Sequence, residues 1–556
     1  MTRLTQVKQL WEKAWYSHDR IKELLLFQAR IGGDGPKSDE PGRMAKASGK
    51  MTGTYREPSP DGRDFTPKQK VGLILGPLLF FIIYFLFQPE GLAPEARGVL
   101  AATVWIATWW ITEAIPIPVT SLLPIILFPL VTDIGVGDVT PNYGDDIVFL
   151  FLGGFIIALA LERWNLHKRI ALGIIYGVGT STSRILLGFM AATGFLSMWI
   201  SNTATAMMMV PIGTAIIYQL SSLVDDDTVK NAEQQRDKFA KSLMIAIAFS
   251  ASIGGLGTII GTPPNTILAG QLREIFDFDL SFALWMMFGV PLAVVLIIIA
   301  WVYLIKFAFP MEMKQIPGGR EVIQKERQAL GPMSGDEKLV ALVFSLTALA
   351  WILRVYVLQE YVSESINDTM IAITGAAVLF LIPSVRYQGA KLMNWETAKN
   401  VPWGILILFG GGLAIAGAFG DSGLDVWIGE QLSVLVGVQF FIIILSVTLL
   451  VTFLTEITSN TASATMLMPI MASLAYAIDV HPLAMMVPAA VAASCAFMLP
   501  VATPPNAVVF GSGYLKMIDM IKAGFWMNLI SVLMITLFIV LLLPIVFGID
   551  LTSFPQ

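Results

Sequence analysis

The amino-acid sequence predicts an all-α polytopic membrane protein, and three observations support this fold class. Of the 556 residues, 55% are hydrophobic and 14% are charged, whereas soluble globular proteins carry about 25% charged residues. Uninterrupted apolar runs, such as those at 71–87 and 529–548, are long enough to cross a hydrocarbon core of roughly 30 Å. Finally, the same polar tripeptide, Ser-Asn-Thr, interrupts an apolar segment in each half of the chain, at 201–203 and 459–461.

The chain before the first apolar run has a different composition. Residues 1–30 mix Leu, Trp and Phe with Lys and Arg, which predicts an amphipathic helix at the membrane interface, with a soluble cap or a partner-binding helix as alternatives. These residues contain no apolar core typical of a signal peptide. Residues 31–68 are rich in Gly, Pro, Ser and charge, which indicates a flexible linker. We therefore expect residues 1–68 to form a cytoplasmic extension.

About eleven segments after this extension are predicted to cross the membrane. Two halves, 69–310 and 338–556, contain them, and a basic cytoplasmic linker at 311–337 separates the halves. The predicted crossings are 71–88, 97–114, 115–132, 147–163, 242–274, 282–308, 338–356, 367–385, 401–420, 482–515 and 522–548.

Two further apolar regions, 184–220 and 439–477, do not fit simple crossings. Each has two arms of roughly 15 residues around a Ser-Asn-Thr tripeptide, and at a rise of 1.5 Å per residue such an arm reaches only about 22 Å. Helical hairpins that enter the membrane and return are the favoured interpretation, and one continuous tilted helix is the alternative.

The charges of the two termini predict the orientation. The first 70 residues hold fourteen Lys and Arg against nine Asp and Glu, and the last eight residues hold no Lys or Arg. Because cytoplasmic segments carry the excess of Lys and Arg, the N-terminus is expected in the cytoplasm and the C-terminus outside. An odd number of crossings agrees with this orientation.

The chain contains an internal repeat. The two tripeptides lie 258 positions apart, as do Ser197 and Thr455 and the glycine-rich stretches at 151–155 and 409–413. A Thr-Pro-Pro-Asn sequence follows each tripeptide, at 262–265 and 503–506. Paired discontinuous helices in inverted repeats are typical of secondary transporters with a site near the middle of the bilayer. A duplicated channel is the rival, but the sequence shows no filter sequence or pore-lining ring.

The polar tips offer two kinds of ligand side by side. The prolines break the helices and expose carbonyl oxygens, and these oxygens, with nearby hydroxyl and amide oxygens, suit Na⁺. The helix that follows each tip presents free N–H groups and the positive end of its dipole, which suit an anion. Because the tips contain no Arg or Lys, bound Na⁺ would supply the positive charge. The alternative is that these small residues only pack helices together.

Other polar residues are weaker candidates. Glu456 lies beside the second tip and could orient that tip, bind a proton, or be neutral and structural, of which orientation is favoured. Glu113 is interpreted as the end of a crossing. The three histidines are scattered and Cys495 is the single cysteine, so the sequence shows neither a metal cluster nor a catalytic constellation, and an enzyme is not expected.

These residues together resemble the divalent anion:sodium symporter family from about residue 70 to residue 548. The resemblance rests on the two Ser-Asn-Thr tips, the two Thr-Pro-Pro-Asn breaks, "WWITEAIPIP" at 109–118 and "ASCAFMLPVATPPNAVV" at 493–509. It implies a homodimer that works by an elevator mechanism, in which early crossings of each half form a scaffold and the hairpins and broken helices form the moving domain. The long N-terminal extension departs from the compact bacterial pattern.

The resemblance also implies the residues of the sites. One Na⁺ site would use Ser197, Ser201, Asn202 and the backbone of Gly261, and the other would use Thr455, Ser459, Asn460 and the backbone of Ala502. The anion would lie between the tips, against Ser201, Asn202, Thr203, Thr262, Pro263, Ser459, Asn460, Thr461, Thr503 and Pro504.

Family members carry C4-dicarboxylates, citrate or sulfate, and two intact Ser-Asn-Thr tips look most like the bacterial dicarboxylate carriers. The resulting hypothesis is Na⁺-coupled uptake of succinate, malate and fumarate across a bacterial plasma membrane. The expected partners are the dicarboxylate, the lipid bilayer and a second copy of the chain, and no nucleic acid is expected. A Na⁺-independent dicarboxylate exchanger, a citrate or sulfate symporter and a passive anion channel are the alternatives.

Overall fold

The fold is helical throughout the part of the chain that the structure describes. The computed structural model describes residues 66–179, 181–222, 232–311 and 319–554. Within these ranges there is no β-strand, and an isolated bridge joins Pro383 and Lys391. The predicted all-α fold class is therefore confirmed. The prediction for residues 1–65 lies outside the described residues.

Twelve helices form the first half of the described chain. They are α1 (Pro67–Leu86), α2 (Pro94–Thr112), α3 (Ile117–Thr120), α4 (Leu123–Val131), α5 (Val136–Val139), α6 (Asp146–Arg163), α7 (Leu166–Val178), α8 (Thr182–Ser197), α9 (Asn202–Ser222), α10 (Ala232–Gly255), α11 (Pro263–Phe276) and α12 (Phe282–Tyr303). The region predicted as a linker between the halves contains the described helix α13 (Gly319–Ala329).

The second half of the described chain repeats this order. Its helices are α14 (Gly335–Leu353), α15 (Gln359–Tyr361), α16 (Asp368–Leu381), α17 (Trp395–Ala398), α18 (Trp403–Ser422), α19 (Leu424–Leu432), α20 (Phe440–Thr455), α21 (Asn460–Ala477), α22 (Pro482–Ala493), α23 (Pro504–Gly511), α24 (Met517–Leu541) and α25 (Leu543–Phe547). Hairpin arms α8–α9 correspond to α20–α21, and the broken helix α10–α11 corresponds to α22–α23.

Six segments of the described chain are long and apolar enough to cross a membrane, and a seventh is added if a bent pair is counted as one crossing. They are Pro67–Leu86, Val136–Arg163, Phe282–Ala308, Gly335–Tyr361, Trp403–Ser422 and Met517–Phe547, and the bent pair is Leu424–Leu435 with Phe440–Thr455. The number of eleven crossings stays a prediction.

The segment predicted as a single crossing at 115–132 is divided in the structure. It forms the short helix α3 and the helix α4, with Ser121 and Leu122 between them. Pro124 has no N–H group to donate to the carbonyl of Thr120, so the helical hydrogen-bond ladder is interrupted there.

The arm α9 runs antiparallel to α10. Asn202, at the start of α9, packs against Gly255 at the end of α10. Gly213, about three turns further along α9, packs against Leu243, which lies about three turns before the end of α10. The arm α9 therefore leads from the tip back towards the N-terminal end of α10.

The arm α8 begins near the N-terminal end of α10, where α9 finishes. The indole of Trp285 donates to the carbonyl of Leu256 at 3.0 Å, so the start of α12 lies beside the end of α10. The indole of Trp301, at the other end of α12, donates to the carbonyl of Ser183 at 2.9 Å. Both arms thus extend from the tip towards the N-terminal end of α10, and α8–α9 is a helical hairpin rather than a continuous helix.

The second hairpin extends in the opposite direction. Near the end of α21, the ring of Tyr476 lies 5.5 Å from the ring of Phe554, which lies 6.0 Å from the ring of Phe276. Phe276 is the last residue of α11, and five residues separate it from the start of α12, whereas the base of the first hairpin, at the start of α8, lies beside the end of α12. Because the two hairpins extend towards opposite ends of α12, their tips point towards each other from opposite sides, as an inverted repeat requires.

Candidate functional site

The two tips and the two Thr-Pro-Pro-Asn breaks surround one cavity of about 620 Å³. Apolar side chains from both halves, including Phe151, Phe155 and Ile405, line the rest of it. All ten residues predicted to contact the anion line this cavity: Ser201, Asn202, Thr203, Thr262, Pro263, Ser459, Asn460, Thr461, Thr503 and Pro504. The tertiary structure thus brings together motifs that lie up to 303 positions apart in the sequence.

Four helices begin at this cavity. Asn202, Pro263, Asn460 and Pro504 are the first residues of α9, α11, α21 and α23, and each of them lines it. The first N–H groups of a helix have no partner within the helix, and the helix dipole places a partial positive charge at this end. The cavity therefore has the electrostatic character of an anion site, although the tips contain no cationic side chain.

A cluster of oxygen atoms lies behind the first tip. The Ser197 hydroxyl lies 2.5 Å from Oδ1 of Asn202 and 2.6 Å from the carbonyl oxygen of Ala251. The same terminal atom of Asn202 lies 3.2 Å from the carbonyl oxygens of Ala251 and Gly261. Ser197 is fully buried. Three of the four predicted ligands of the first Na⁺ site, Ser197, Asn202 and Gly261, are thus brought together.

The second tip repeats the arrangement. The Thr455 hydroxyl lies 2.7 Å from Oδ1 of Asn460 and 3.0 Å from the carbonyl oxygen of Ala493. Thr455 is fully buried, like Ser197. Ala493 is the counterpart of Ala251, so the same three groups converge in both halves.

These oxygens outnumber the protons available to them. The Ser197 hydroxyl has one proton but two oxygen neighbours within 2.6 Å, and neither Oδ1 of Asn202 nor a carbonyl oxygen can donate. If the Asn202 amide were rotated, its nitrogen would donate to Ser197, Ala251 and Gly261 instead. The second half favours the orientation with oxygen inwards, because Asn460 presents Oδ1 to Thr455 in the same way. Buried oxygens that converge without donors suit a cation such as Na⁺.

The remaining predicted Na⁺ ligands lie at the edge of these clusters. The Ser201 hydroxyl accepts a hydrogen bond from the N–H of Ala204 at 3.2 Å, so it caps the start of α9. Ser459 occupies the equivalent position before α21 but makes no capping hydrogen bond. Ala502 lines the cavity. Among the described residues, no contact joins Ser201, Ser459 or Ala502 to the oxygen clusters, so their part in Na⁺ binding stays a prediction.

One asparagine holds the unwound backbone beside each oxygen cluster. The side-chain amide of Asn265 donates to the carbonyls of Gly255, Leu256 and Thr258 at 2.8 to 3.3 Å. This arrangement fixes the turn after α10, whose last residues include the Ala251 carbonyl. The sequence did not predict a role for the final asparagine of the Thr-Pro-Pro-Asn motif, although its repetition in both halves was a signal.

The second asparagine has the same role in the other half. The side-chain amide of Asn506 donates to the carbonyls of Ala496 and Leu499 at 3.1 and 3.0 Å. Like Asn265, Asn506 is fully buried. Ala251 and Ala493 were also missed, and no sequence signal could have found them, because every residue has a carbonyl oxygen.

Glu456 stabilises the second break. Its carboxyl group accepts hydrogen bonds from the backbone N–H groups of Phe497, Met498 and Leu499 at 2.7, 2.9 and 3.0 Å, and from the side-chain amide of Asn528 at 2.7 Å. All four partners donate, which suits a carboxylate. The geometry fits the favoured interpretation, in which Glu456 orients the region around the second tip. In the first half, Met198 takes the equivalent position, so the two breaks are held differently.

Two charged side chains of the described chain line the cavity away from the tips. They are Lys68, at the start of α1, and Glu113, directly after α2, and both are exposed. The amide of Gln69 donates to the carbonyl of Glu113 at 3.1 Å, so the two helix ends lie side by side. No group of three or more His, Cys, Asp or Glu side chains that could hold a metal ion is found among the described residues.

Comparisons with known proteins agree with this geometry. Residues 68–549 match the family described as "Sodium:sulfate symporter transmembrane region". The chain is 52% identical over 495 residues to the sodium-dependent dicarboxylate transporter SdcS of Staphylococcus saprophyticus, covering 89% of this chain and 95% of that protein. It is 51% identical over 502 residues to the protein of that name from Staphylococcus aureus strain USA300, covering 90% and 96%.

Solved structures of low sequence identity share the fold. The YdaH transporter of Alcanivorax borkumensis superposes with a TM-score of 0.53 at 14% identity, over 81% of this chain and 99% of that chain. MtrF of Neisseria gonorrhoeae superposes with a TM-score of 0.53 at 11% identity, over 88% and 97%. At these identities, the likeness concerns the fold alone.

Proposed function

Since the chain belongs to the sodium:sulfate symporter family, a family of membrane transporters, we propose that it couples the inward flow of Na⁺ to the uptake of C4-dicarboxylates. Succinate, malate and fumarate are the proposed substrates. The relatives named sodium-dependent dicarboxylate transporter, which match over about nine-tenths of this chain, support Na⁺ as the co-transported ion. Membership of a transporter family also agrees with the prediction that the protein is not an enzyme.

The observation that carries the proposal is the position of the two oxygen clusters beside one cavity. Each cluster contains the asparagine of a tip, Asn202 or Asn460, and each of these asparagines also lines the cavity. The same asparagine side chain would therefore contact a cation in the cluster and an anion in the cavity. The cation lowers the cost of burying the anion, and the anion lowers the cost of burying the cation, because an isolated charge in a low-dielectric interior is strongly unfavourable.

The twofold character of the site favours a substrate with two carboxylates. Each tip offers an asparagine, a threonine and the N-terminus of a helix to the same cavity. One carboxylate of a C4-dicarboxylate would contact Asn202 and Thr203, and the other would contact Asn460 and Thr461. The helix ends contribute partial positive charge, and Na⁺ supplies the full charges that the tips lack.

Alternating access would occur by an elevator mechanism in a homodimer. The hairpins α8–α9 and α20–α21 and the broken helices α10–α11 and α22–α23 would move together, since these elements form both oxygen clusters. The helices α1 and α2, with their counterparts in the second half, would form the scaffold.

The proposed orientation in the bacterial plasma membrane places the N-terminus in the cytoplasm and the C-terminus outside. Acidic residues lie near the start of α12, where Asp279 and Asp368 flank Arg354. Basic residues lie at its other end, where Lys306 lies three residues after α12 and Lys522, together with Asp519, lines a groove with Tyr303. By the positive-inside tendency, this distribution of charge supports an orientation in which the end of α12 is cytoplasmic.

Uptake of radiolabelled succinate into proteoliposomes tests the proposal. The protein is reconstituted, an inward Na⁺ gradient is compared with an equal K⁺ gradient, and unlabelled citrate and sulfate are added as competitors. We expect uptake only with Na⁺ and little competition by sulfate. Uptake without Na⁺ that requires dicarboxylate inside the vesicles would instead identify an exchanger. Strong competition by sulfate or citrate would indicate that the protein is a sulfate or citrate symporter of the same family.

A further inference from the structure

One hydrogen bond joins the two repeats between the oxygen clusters. The hydroxyl groups of Thr262 and Ser494 lie 3.3 Å apart, and both side chains are buried. Thr262 directly follows Gly261, whose carbonyl oxygen belongs to the first cluster, and Ser494 directly follows Ala493, whose carbonyl oxygen belongs to the second. The bond therefore links the peptide groups that present a carbonyl oxygen to each cluster.

The equivalent pair of hydroxyl groups, with the serine in the first repeat and the threonine in the second, is not hydrogen-bonded. Ala251 and Ala493 present the carbonyl oxygens that face Ser197 and Thr455, so Ser252 and Ser494, which directly follow them, hold equivalent positions. Thr503 is the counterpart of Thr262 in the two Thr-Pro-Pro-Asn motifs. The Ser252 hydroxyl is buried and has no hydrogen-bond partner within the described chain. The Thr503 hydroxyl instead accepts from the N–H of Asn506 at 3.3 Å and caps α23. The two halves thus use equivalent hydroxyl groups differently, and of these four hydroxyls only those of Thr262 and Ser494 are hydrogen-bonded to each other.

The surroundings of this bond leave little freedom for independent movement. The ring of Phe249, on α10, lies 4.9 Å from the ring of Phe497, in the second break, and both rings are buried. The backbone of Phe497 is in turn held by Glu456. A shift of the peptide at one break therefore meets closely packed groups of the other break.

We propose that the hydrogen bond between Thr262 and Ser494 couples the two cation sites, so that Na⁺ at one site raises the affinity of the other. A cation that binds the Gly261 carbonyl orients the peptide bond between Gly261 and Thr262. The bonded hydroxyls carry that orientation to Ser494 and hence to the Ala493 carbonyl. Coupling of this kind is reciprocal, so either site promotes binding at the other. The inference rests on the proposed function, and Ser494 acts in it as a positioning residue.

The test compares Ser494→Ala with the matched control Ser252→Ala in the full-length protein. Initial rates of succinate uptake into proteoliposomes are measured against Na⁺ concentration at saturating succinate. We expect a wild-type Hill coefficient above one. In Ser494→Ala we expect the coefficient to fall towards one and the half-saturating Na⁺ concentration to rise about fivefold, as loss of a single net hydrogen bond predicts. Ser252→Ala removes a hydroxyl without a partner and should leave both values unchanged.

Two further variants and one further assay separate coupling from a general loss of stability. Ser494→Thr keeps the hydroxyl and should keep the cooperativity. If Ser494→Ala does not fold, Ser494→Cys takes its place, because a thiol is of similar size but is a weak hydrogen-bond partner, and it should show the same loss of cooperativity. Thermal unfolding in detergent at increasing Na⁺ concentrations gives a readout that does not require transport, and it should show the same loss of cooperativity.

Some results would overturn the coupling without affecting the proposed function. They are a wild-type Hill coefficient of one, a Ser494→Ala variant with wild-type Na⁺ dependence, or equal losses in Ser494→Ala and Ser252→Ala. If the wild-type protein transports succinate without Na⁺, the proposed function fails first, and the coupling fails with it.

Discussion

Replacement of Glu456 should destabilise the folded protein more than replacement of most other single side chains. The Glu456 carboxylate is 3% exposed and accepts four hydrogen bonds. Glu456→Ala leaves three donors, the N–H groups of Met498 and Leu499 and the amide of Asn528, without this acceptor, whereas the N–H of Phe497 keeps a second one, Oδ1 of Asn528, at 3.2 Å. At about 1–3 kcal/mol for each unsatisfied donor, the cost is about 3–9 kcal/mol, which is comparable to the whole stability of a typical protein, about 5–15 kcal/mol. We expect little folded Glu456→Ala protein.

Glu456→Gln separates the contribution of the hydrogen bonds from that of the charge. The glutamine oxygen can take the place of Oε1 and keep the bonds from Phe497, Met498 and Asn528. Its amide nitrogen then faces the N–H of Leu499, which loses its acceptor, at a cost of about 1–3 kcal/mol. We expect this variant to fold with a lowered melting temperature and to keep Na⁺-dependent uptake.

The assay is thermal unfolding in detergent, followed by size-exclusion chromatography, with uptake measured in parallel. Glu360→Ala, at an exposed position outside the cavity, is the matched control and should unfold like the wild type. If Glu456→Ala has the melting temperature of Glu360→Ala, the hydrogen bonds to Glu456 do not stabilise the folded protein. If Glu456→Gln folds but changes the pH dependence of uptake, Glu456 binds a proton during transport, and orientation is not its main role.

Three further predictions concern the site and the N-terminal extension. Asn460→Ala removes the oxygen that faces both Thr455 and the cavity, so uptake should be lost while folding and dimerisation persist. Asn400→Ala, at an exposed position outside the cavity, is the control. Normal uptake by Asn460→Ala would show that this residue is not part of the site. Asn265→Ala and Asn506→Ala each release two or three backbone carbonyls from a buried amide, so the half-saturating Na⁺ concentration should rise at least tenfold; an unchanged Na⁺ dependence in a folded variant would contradict their role in holding the breaks. Deletion of residues 1–60 should leave uptake largely unchanged, because the cavity lining found in the described part of the chain begins at Lys68. Complete loss of uptake by a well-folded deletion variant would show that the extension is functional.

The sequence specified the location of the site because its signals are chemical and local. Polar tripeptides in apolar segments and paired prolines are costly in a membrane, where every backbone group must find a partner, so they mark positions that serve another purpose. Their repetition at nearly constant spacing predicted two related halves. For this reason all ten residues predicted to contact the anion were found lining one cavity.

The sequence was less informative about the secondary structure at the edges of the apolar segments. The single crossing expected at 115–132 is two helices, because apolar runs show where a chain is buried but not where its hydrogen-bond ladder is interrupted. The proline at 124 was visible in the sequence, but prolines also occur inside unbroken helices here, as Pro77 and Pro291 do.

By itself, the sequence thus determined the all-helical membrane fold, the internal repeat and the polar residues that line the candidate site. Only the tertiary structure decided which backbone carbonyls complete the oxygen clusters, which donors surround Glu456, and which hydroxyl of one repeat meets a hydroxyl of the other. The physical reason is that carbonyl groups are the same at every residue, so their role depends on local unwinding and on packing between distant segments. The bond between Thr262 and Ser494 spans 232 positions, and no local pattern in the sequence distinguishes it from the unformed pair of Ser252 and Thr503.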